Sequence, residues 1–150
     1  MSDNTLIGIA GVHHVVSELS RRGMVALPTV KNTAAYDIVV LNVEGTKHAN
    51  VQVKASSKKV GFFPMPPPEK VRSGKSDVYV FVRWLKNEER YQGYLLTGKQ
   101  AKAAVEASLS GQQASIDRGT RKKPFPCVYV GPAIGKLAEQ WEKAWKTWRL

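Results

Sequence analysis

The stretches YDIVVL at residues 36–41 and VQVK at residues 51–54 decide the fold of this chain. Both are rich in β-branched residues, which favours strands, and the short connection between them predicts a hairpin. Successive strand residues point to opposite faces, so Gln52 and Lys54 share one face. A hairpin would bring Asp37, at the head of the first strand, next to both of them.

The pattern of apolar residues along the remaining chain predicts a mixed α/β protein. It indicates helices over residues 6–22, 98–109 and 133–148, and strands over residues 24–27, 36–43, 48–55, 77–85, 90–96 and 127–130. The order α-β-β-β-β-β-α-β-α is typical of a mixed central sheet flanked by helices. The continuous apolar run at residues 38–41 suits a central strand that is covered on both faces.

The segments between these elements are expected to be loops. Residues 29–33 are mostly polar, and residues 110–126 are polar and basic. Residues 56–76 contain four prolines, which exclude a central strand and predict a long surface loop.

Positive charge dominates the composition. The chain has 23 Lys and Arg residues against 12 Asp and Glu, a net charge of +11 over 150 residues. Cationic side chains near phosphates release counterions, so this excess predicts a nucleic-acid partner. The alternative interpretation is a basic protein whose charge only keeps it in solution. The length allows one domain with a substantial core.

Cys127 is the one cysteine in the sequence, so it has no partner for an internal disulfide. No Cys/His cluster has the spacing of a zinc site. This cysteine usage favours a reducing compartment. The sequence has neither the pattern of a signal peptide nor an apolar stretch near the ~18 residues of a membrane span. We therefore expect a cytoplasmic protein with no membrane partner.

Asp37, Gln52 and Lys54 together suit the hydrolysis of a phosphodiester. A carboxylate and an amide oxygen can bind a hard metal ion, and an ammonium group stabilises a phosphate. Asp37 leads an apolar strand, where burial without a partner would be costly. Two plainer interpretations stay open: Asp37 caps the turn before the strand, and Lys54 is an ordinary exposed lysine.

The order of these motifs resembles the PD-(D/E)xK nuclease superfamily. Over residues 7–57 the resemblance is carried by glycines at 8 and 11, Ser-Glu-Leu at 17–19, Tyr-Asp-Ile at 36–38 and Gln-Val-Lys at 52–54. It implies a restriction-endonuclease-like fold, similar to Holliday-junction resolvases and to small prokaryotic endonuclease-like proteins with a Gln-x-Lys signature. It also implies a metal-dependent endonuclease that hydrolyses DNA, so that DNA is favoured over RNA as the partner.

The resemblance implies a role for each matched residue. Asp37 would bind Mg²⁺ or Mn²⁺, with the Gln52 amide oxygen and the Val53 carbonyl as further ligands. Lys54 would orient the attacking water and stabilise charge on the phosphate.

Many relatives carry a further acid on the first helix, at a position where this chain has Val12. Glu18 lies on the same helix and shares a face with His14, so it is expected to supply that acid. The alternative is an exposed glutamate that pairs with Arg21 and Arg22.

Two basic segments are candidates for holding the nucleic-acid backbone, and solvated loops are the alternative interpretation. They comprise Ser56, Ser57, Lys58 and Lys59 after the hairpin, and Arg118, Arg121, Lys122 and Lys123 in the second basic loop. Phe62 and Phe63 either stack on unpaired bases or pack on the sheet, and packing is favoured.

Trp141, Trp145 and Trp148 fall on one face of the last predicted helix. Core packing is the favoured interpretation, and a homodimer interface is the alternative. Three functions therefore stay open. The first is the endonuclease, and the second is a nucleic-acid-binding module of the same fold that lost the chemistry, as Val12 and Gln52 suggest. The third is a protein-interaction or assembly protein that uses the Trp-bearing helix.

Overall fold

The computed structural model describes residues 3–30 and 35–150, so the loop predicted at 29–33 lies partly outside the described residues. The helices are α1 (Asp3–Arg21), α2 (Gly98–Asp117) and α3 (Lys136–Thr147). The strands are β1 (Val25–Pro28), β2 (Ile38–Leu41), β3 (His48–Ser56), β4 (Phe62–Pro64), β5 (Asp77–Leu85), β6 (Arg90–Thr97) and β7 (Cys127–Tyr129). No described helix combines the length and apolar composition that crossing a membrane requires.

Five strands form a mixed sheet in the order β1-β2-β3-β5-β6. The β3–β5 pair is parallel and the other neighbouring pairs are antiparallel. β4 and β7 form a separate antiparallel pair. The predicted α/β class, with a mixed central sheet flanked by helices, is confirmed. The predicted hairpin is present as β2–β3, with Ile38 opposite Val51.

Each face of the sheet carries its own apolar core. On one face, Val15 and Leu19 of α1 belong to a cluster with Val51 of β3. On the other face, Phe81 of β5 belongs to a cluster with Phe63 of β4 and with apolar residues of α2. Side chains alternate along each strand, so neighbouring residues supply opposite cores.

The last helix, α3, packs on β6 and contributes to both cores. Trp141 lies in the α2-side cluster and Trp145 in the α1-side cluster, each only 5% exposed. The favoured prediction of core packing is confirmed for these two residues, while Trp148 is partly buried. Indoles used in the core are not free to form an assembly surface.

Two glycines allow helices to lie close to the sheet. A Cβ added at Gly11 of α1 would lie 2.5 Å from the Cβ of Ala55 and 3.3 Å from Cγ2 of Val82. A Cβ added at Gly93 of β6 would overlap the indole of Trp145, 3.0 Å from its Cγ. The close approach of α1 and α3 to the sheet therefore requires residues without a side chain at positions 11 and 93.

The sequence predicted a long surface loop at residues 56–76, but part of this proline-rich segment forms regular structure. It contains β4, in which Phe63 pairs with Val128 of β7, and a 3₁₀ turn at Pro68–Lys70. Proline is excluded from central strands because it cannot donate to the ladder, but a two-stranded pair has free edges that accept it.

Helix α2 ends at Asp117 and not at the predicted residue 109. The buried side chain of Gln112 accounts for the extension. Its Nε2 donates to the Phe125 carbonyl and its Oε1 accepts from the Phe125 amide, both at 2.8 Å. A polar residue therefore occupies the buried face of the helix, where a search for apolar spacing misses it.

Strand β2 is shorter and less covered than predicted. Ile38 and Val40 are buried on the α1 side, whereas Val39 and Leu41 are only partly buried. The strand lies second from the edge of the sheet, and α2 packs over β5 and β6 instead. The prediction of a central strand covered on both faces is therefore wrong.

Arg83 of β5 is buried, with 8% of its surface exposed. Its guanidinium carbon lies 4.8 Å from the ring centroid of Phe63, and its Nε and Nη2 have no hydrogen-bond partner among the described residues. Burial lowers the pKa of Arg83, and the nearby Tyr94 opposes this in part. The contact with the Phe63 ring offsets some of the cost of burying this charge.

Candidate functional site

Asp37 lies immediately before β2 and fastens the start of that strand to β3. Its backbone amide donates to the Val51 carbonyl at 2.9 Å, and its Oδ2 accepts from the Val53 amide at 2.8 Å. The carboxylate thus takes the place that a further backbone carbonyl of β2 would occupy in the ladder. Among the described residues, the other carboxylate oxygen, Oδ1, has no hydrogen-bond or ion-pair partner.

The register places Gln52 and Lys54 on the same face of the hairpin. Ile38 and Val51 are paired and belong to the α1-side core. Since side chains alternate, Gln52 and Lys54 lie on the other face. Asp37 precedes β2, and its carboxylate reaches the Val53 amide at the edge of β3. Val53 packs toward α1.

Lys54 is a partly buried cation whose positive charge is only weakly stabilised by its surroundings. Burial lowers its pKa, and the negative charge of Asp37 opposes this shift in part. Among the described residues, its ammonium group makes no ion pair and no hydrogen bond. Lys54 therefore loses its proton, and becomes a neutral amine, at a lower pH than an exposed lysine does.

Replacing Lys54 by methionine is expected to stabilise the fold near neutral pH. Because the folded-state pKa lies below the ordinary value of 10.5, the folded chain binds this proton less readily than the unfolded chain. The penalty is full below the folded-state pKa and disappears above 10.5. Urea unfolding should show a gain for Lys54→Met at about pH 7 that is lost at about pH 11. Equal gains at both pH values would contradict the prediction.

A cavity of about 500 Å³ opens beside Asp37. It lies between the first half of α1, which contributes Gly8 and Val12, and the ends of the strands, which contribute Thr29 and Val53. Thr29 holds the Asp37 backbone in place because its amide donates to the Asp37 carbonyl at 2.9 Å. Among its described lining residues, Asp37 is the one acid.

Glu18 does not lie in this cavity. It pairs with Arg21 at 3.1 Å and with Arg22 at 3.6 Å, and it lines a second cavity together with Trp145. Helical rise places Glu18 about 9 Å farther along the axis than Val12, which lines the Asp37 cavity. The prediction that Glu18 supplies the missing acid is therefore wrong, and its alternative, pairing with the arginines, is what the structure contains.

His14 also lies on the far side of α1. Its ring stacks on Tyr91 with a centroid distance of 4.2 Å, and burial is the main cause that lowers its pKa. Within the described part of the chain, no group of three or more His, Cys, Asp or Glu side chains is arranged to hold a metal ion.

The first basic segment follows directly from β3. The Oγ of Ser56 accepts from the Lys58 amide at 3.1 Å, and Ser57, Lys58 and Lys59 are exposed. This turn fixes the direction in which the segment leaves the sheet.

The second basic segment begins at the C-terminal end of α2. Arg118 caps the helix, and the amides of Thr120 and Arg121 donate to the Ser115 carbonyl. Lys122 and Lys123 follow as exposed residues.

The two phenylalanines of β4 pack within the protein. Phe63 is 1% exposed, and the Phe62 ring lies edge-on to Phe125 with a centroid distance of 5.4 Å. The favoured packing interpretation is confirmed for Phe63, which is not available for base stacking.

Arg72 is a cation near this site that the sequence analysis missed. Its Nε lies 3.6 Å from Oδ1 of Asp77, and its guanidinium carbon lies 5.6 Å from the ring centroid of Tyr36. Its backbone amide donates to the Tyr79 hydroxyl at 3.0 Å. No local motif marks Arg72, because its contacts come from segments far apart in the sequence.

The fold and the site define a mixed α/β protein in which an acid at the head of β2 is bound to β3, the strand that carries Gln52 and Lys54. A solved structure to which the chain is similar is that of the bacterial homing endonuclease I-Ssp6803I, with 23% sequence identity and a TM-score of 0.46. The match covers 66% of this chain and 68% of that one. No family model matches the chain. No curated protein matches it either.

Proposed function

We propose that this protein is a metal-dependent endonuclease that hydrolyses DNA phosphodiester bonds. The observation that carries the proposal is the anchoring of the Asp37 carboxylate by the amide of Val53, the residue between Gln52 and Lys54 in β3. An acid fixed by a backbone donor keeps its orientation while its second oxygen stays open to a ligand.

The residues present fit a hard divalent metal ion. Asp37 Oδ1 and the Gln52 amide oxygen are oxygen donors of the kind that Mg²⁺ or Mn²⁺ accepts. The N–H and C=O of one strand residue point to the same side, so the Val53 carbonyl faces the same edge as Asp37 and would be a further ligand. With one carboxylate in this set, phosphate oxygens of the DNA would complete the shell. The bound metal would supply Lewis-acid stabilisation of the phosphate.

Lys54 is the group that acts on water and phosphate. A partly buried amine beside a carboxylate can hold the attacking water by a hydrogen bond and can oppose negative charge that builds on the phosphate. Its lowered pKa makes proton exchange with that water easier than for an exposed lysine. The excess of basic residues would hold the rest of the DNA backbone.

Asp37→Asn and Lys54→Met are expected to lower Mg²⁺-dependent cleavage at least about a hundredfold. The measurement is single-turnover cleavage of duplex, branched and single-stranded DNA. Glu88→Gln is the matched control, because Glu88 is an exposed acid that pairs with Arg90 in the β5–β6 turn. Unchanged cleavage in both site variants would refute the proposal.

A second candidate function is DNA binding without hydrolysis. The single acid that lines the cavity, among its described residues, favours it, since a lone carboxylate binds metal weakly. Calorimetry with Mn²⁺ in the presence of DNA separates the two candidates. Metal binding that Asp37→Asn removes supports the endonuclease, whereas DNA binding with no metal uptake supports the binding module.

A further inference from the structure

We infer that Arg72 holds a phosphate of the bound DNA strand at the Asp37 site. The inference rests on the proposed function as far as the ligand is concerned, and it adds a residue that no motif in the sequence identifies.

Arg72 reaches over the site from one side of β3 to the other. Its Nε meets Asp77 at the start of β5, and its guanidinium lies near Tyr36, which precedes β2. β3 runs between β2 and β5 in the sheet. The guanidinium therefore spans β3 close to Asn50, which is the register partner of Asp77.

Arg72 lies on the face of the sheet that also carries Gln52 and Lys54 of the candidate site. The Arg72 amide donates to the hydroxyl of Tyr79, and Tyr79 is the register partner of Gln52. Paired residues of neighbouring strands project to the same side of a sheet. Arg72 thus lies on the side of Gln52 and Lys54 and not on the side of α1.

Three contacts hold the Arg72 side chain and its segment in place. Asp77 pairs with Nε and also accepts from the Gly74 amide at 2.8 Å, so the carboxylate is itself fixed. The Tyr36 ring supports the guanidinium from one side. Because this orientation exists before binding, less rotamer entropy is lost when a ligand arrives.

The outer atoms of the guanidinium remain available. Among the described residues, the Asp77 ion pair is the one polar contact of the side chain, which is 47% exposed. A planar fork with two free nitrogens matches the two oxygens of a phosphate, which a lysine cannot imitate. The negative charge of Asp77 would otherwise repel DNA, and the ion pair with Arg72 neutralises that charge.

Arg72→Gln is expected to weaken DNA binding about tenfold at low salt and to reduce the slope of log affinity against log salt by about 0.9. Fluorescence anisotropy with a labelled oligonucleotide in EDTA measures both, so the result does not depend on cleavage. Arg72→Lys should keep most of the slope but lose affinity, since it retains charge without the fork. Arg90→Gln is the control, because Arg90 lies at the opposite end of β5–β6.

Two outcomes would overturn the inference. One is an affinity and salt slope of Arg72→Gln that match those of Arg90→Gln, which would leave the Arg72–Asp77 pair as a clamp for its own segment. The other is the absence of DNA binding by the wild-type protein. The proposed hydrolysis fails separately: cleavage that ignores Asp37→Asn refutes it even if Arg72→Gln lowers the salt slope.

Discussion

Gly11→Ala is expected to destabilise the protein by about 3 kcal/mol, although alanine is the better helix former. The new Cβ would lie 2.5 Å from the Cβ of Ala55, which is fixed to the β3 backbone and cannot turn away. The clash can be relieved only by moving α1 away from the sheet. That movement would loosen the packing of Val15 and Leu19.

Gly8→Ala is the matched control for this result. It lies one turn earlier on α1, and an added Cβ there meets nothing within 4 Å. The same substitution should therefore stabilise the protein by about 0.5–1 kcal/mol. Urea denaturation of the two variants measures opposite changes in the free energy of unfolding. Changes of the same sign would show that α1 does not depend on close approach at Gly11.

Gly93→Ala is expected to cost about 3 kcal/mol and to lower Tm by roughly 6–12 °C. The added Cβ would overlap the buried Trp145 indole, which is held between β6 and the α1-side core. The guanidinium of Arg22 lies on the same indole, 4.3 Å from its centroid, so the ring cannot shift freely.

A double-mutant cycle tests the cause of this loss. Trp145→Ala is itself destabilising because it empties a buried site. In that background, Gly93→Ala should cost less than about 1 kcal/mol, since the overlapping ring is gone. Thermal and urea unfolding of the four proteins give the coupling energy. Additive losses would mean that the clash with Trp145 is not the cause.

The sheet was predictable wherever local pattern and tertiary pairing agree. β5 has the predicted bounds, Asp77–Leu85, because it is buried on both faces over most of its length and residues 78–82 form one apolar run. The α2 start was predictable from Thr97, whose side chain accepts from the Gln100 amide in a capping box. The β2–β3 hairpin followed from two β-branched stretches and a short turn.

Other parts of the fold depend on distant contacts that local pattern does not report. β4 exists because Phe63 finds a partner in Val128, more than sixty residues later in the chain. The extension of α2 depends on the bonds that Gln112 makes to Phe125. In both cases tertiary structure satisfies groups that the sequence alone leaves unassigned.

The residues of the candidate site also differ in whether the sequence alone could predict their positions. Gln52 and Lys54 could be placed on one face because strand alternation is strict. The bond that fixes the Asp37 carboxylate to the Val53 amide could not be predicted from alternation. Glu18 was misplaced because it lies farther along α1 than Val12 and points about 120° away from it around the helix, toward a different cavity. Arg72 could not be found, since its contacts with Tyr36 and Asp77 arise only when the sheet is assembled.

Because α3 packs into both apolar cores, it affects how the protein unfolds. One helix supplies Trp141 to one side of the sheet and Trp145 to the other. When α3 detaches, both layers lose an indole at once, so neither layer can open at that edge as an independent cooperative unit. The short C-terminal helix thereby couples the hydrogen-exchange protection of the two layers.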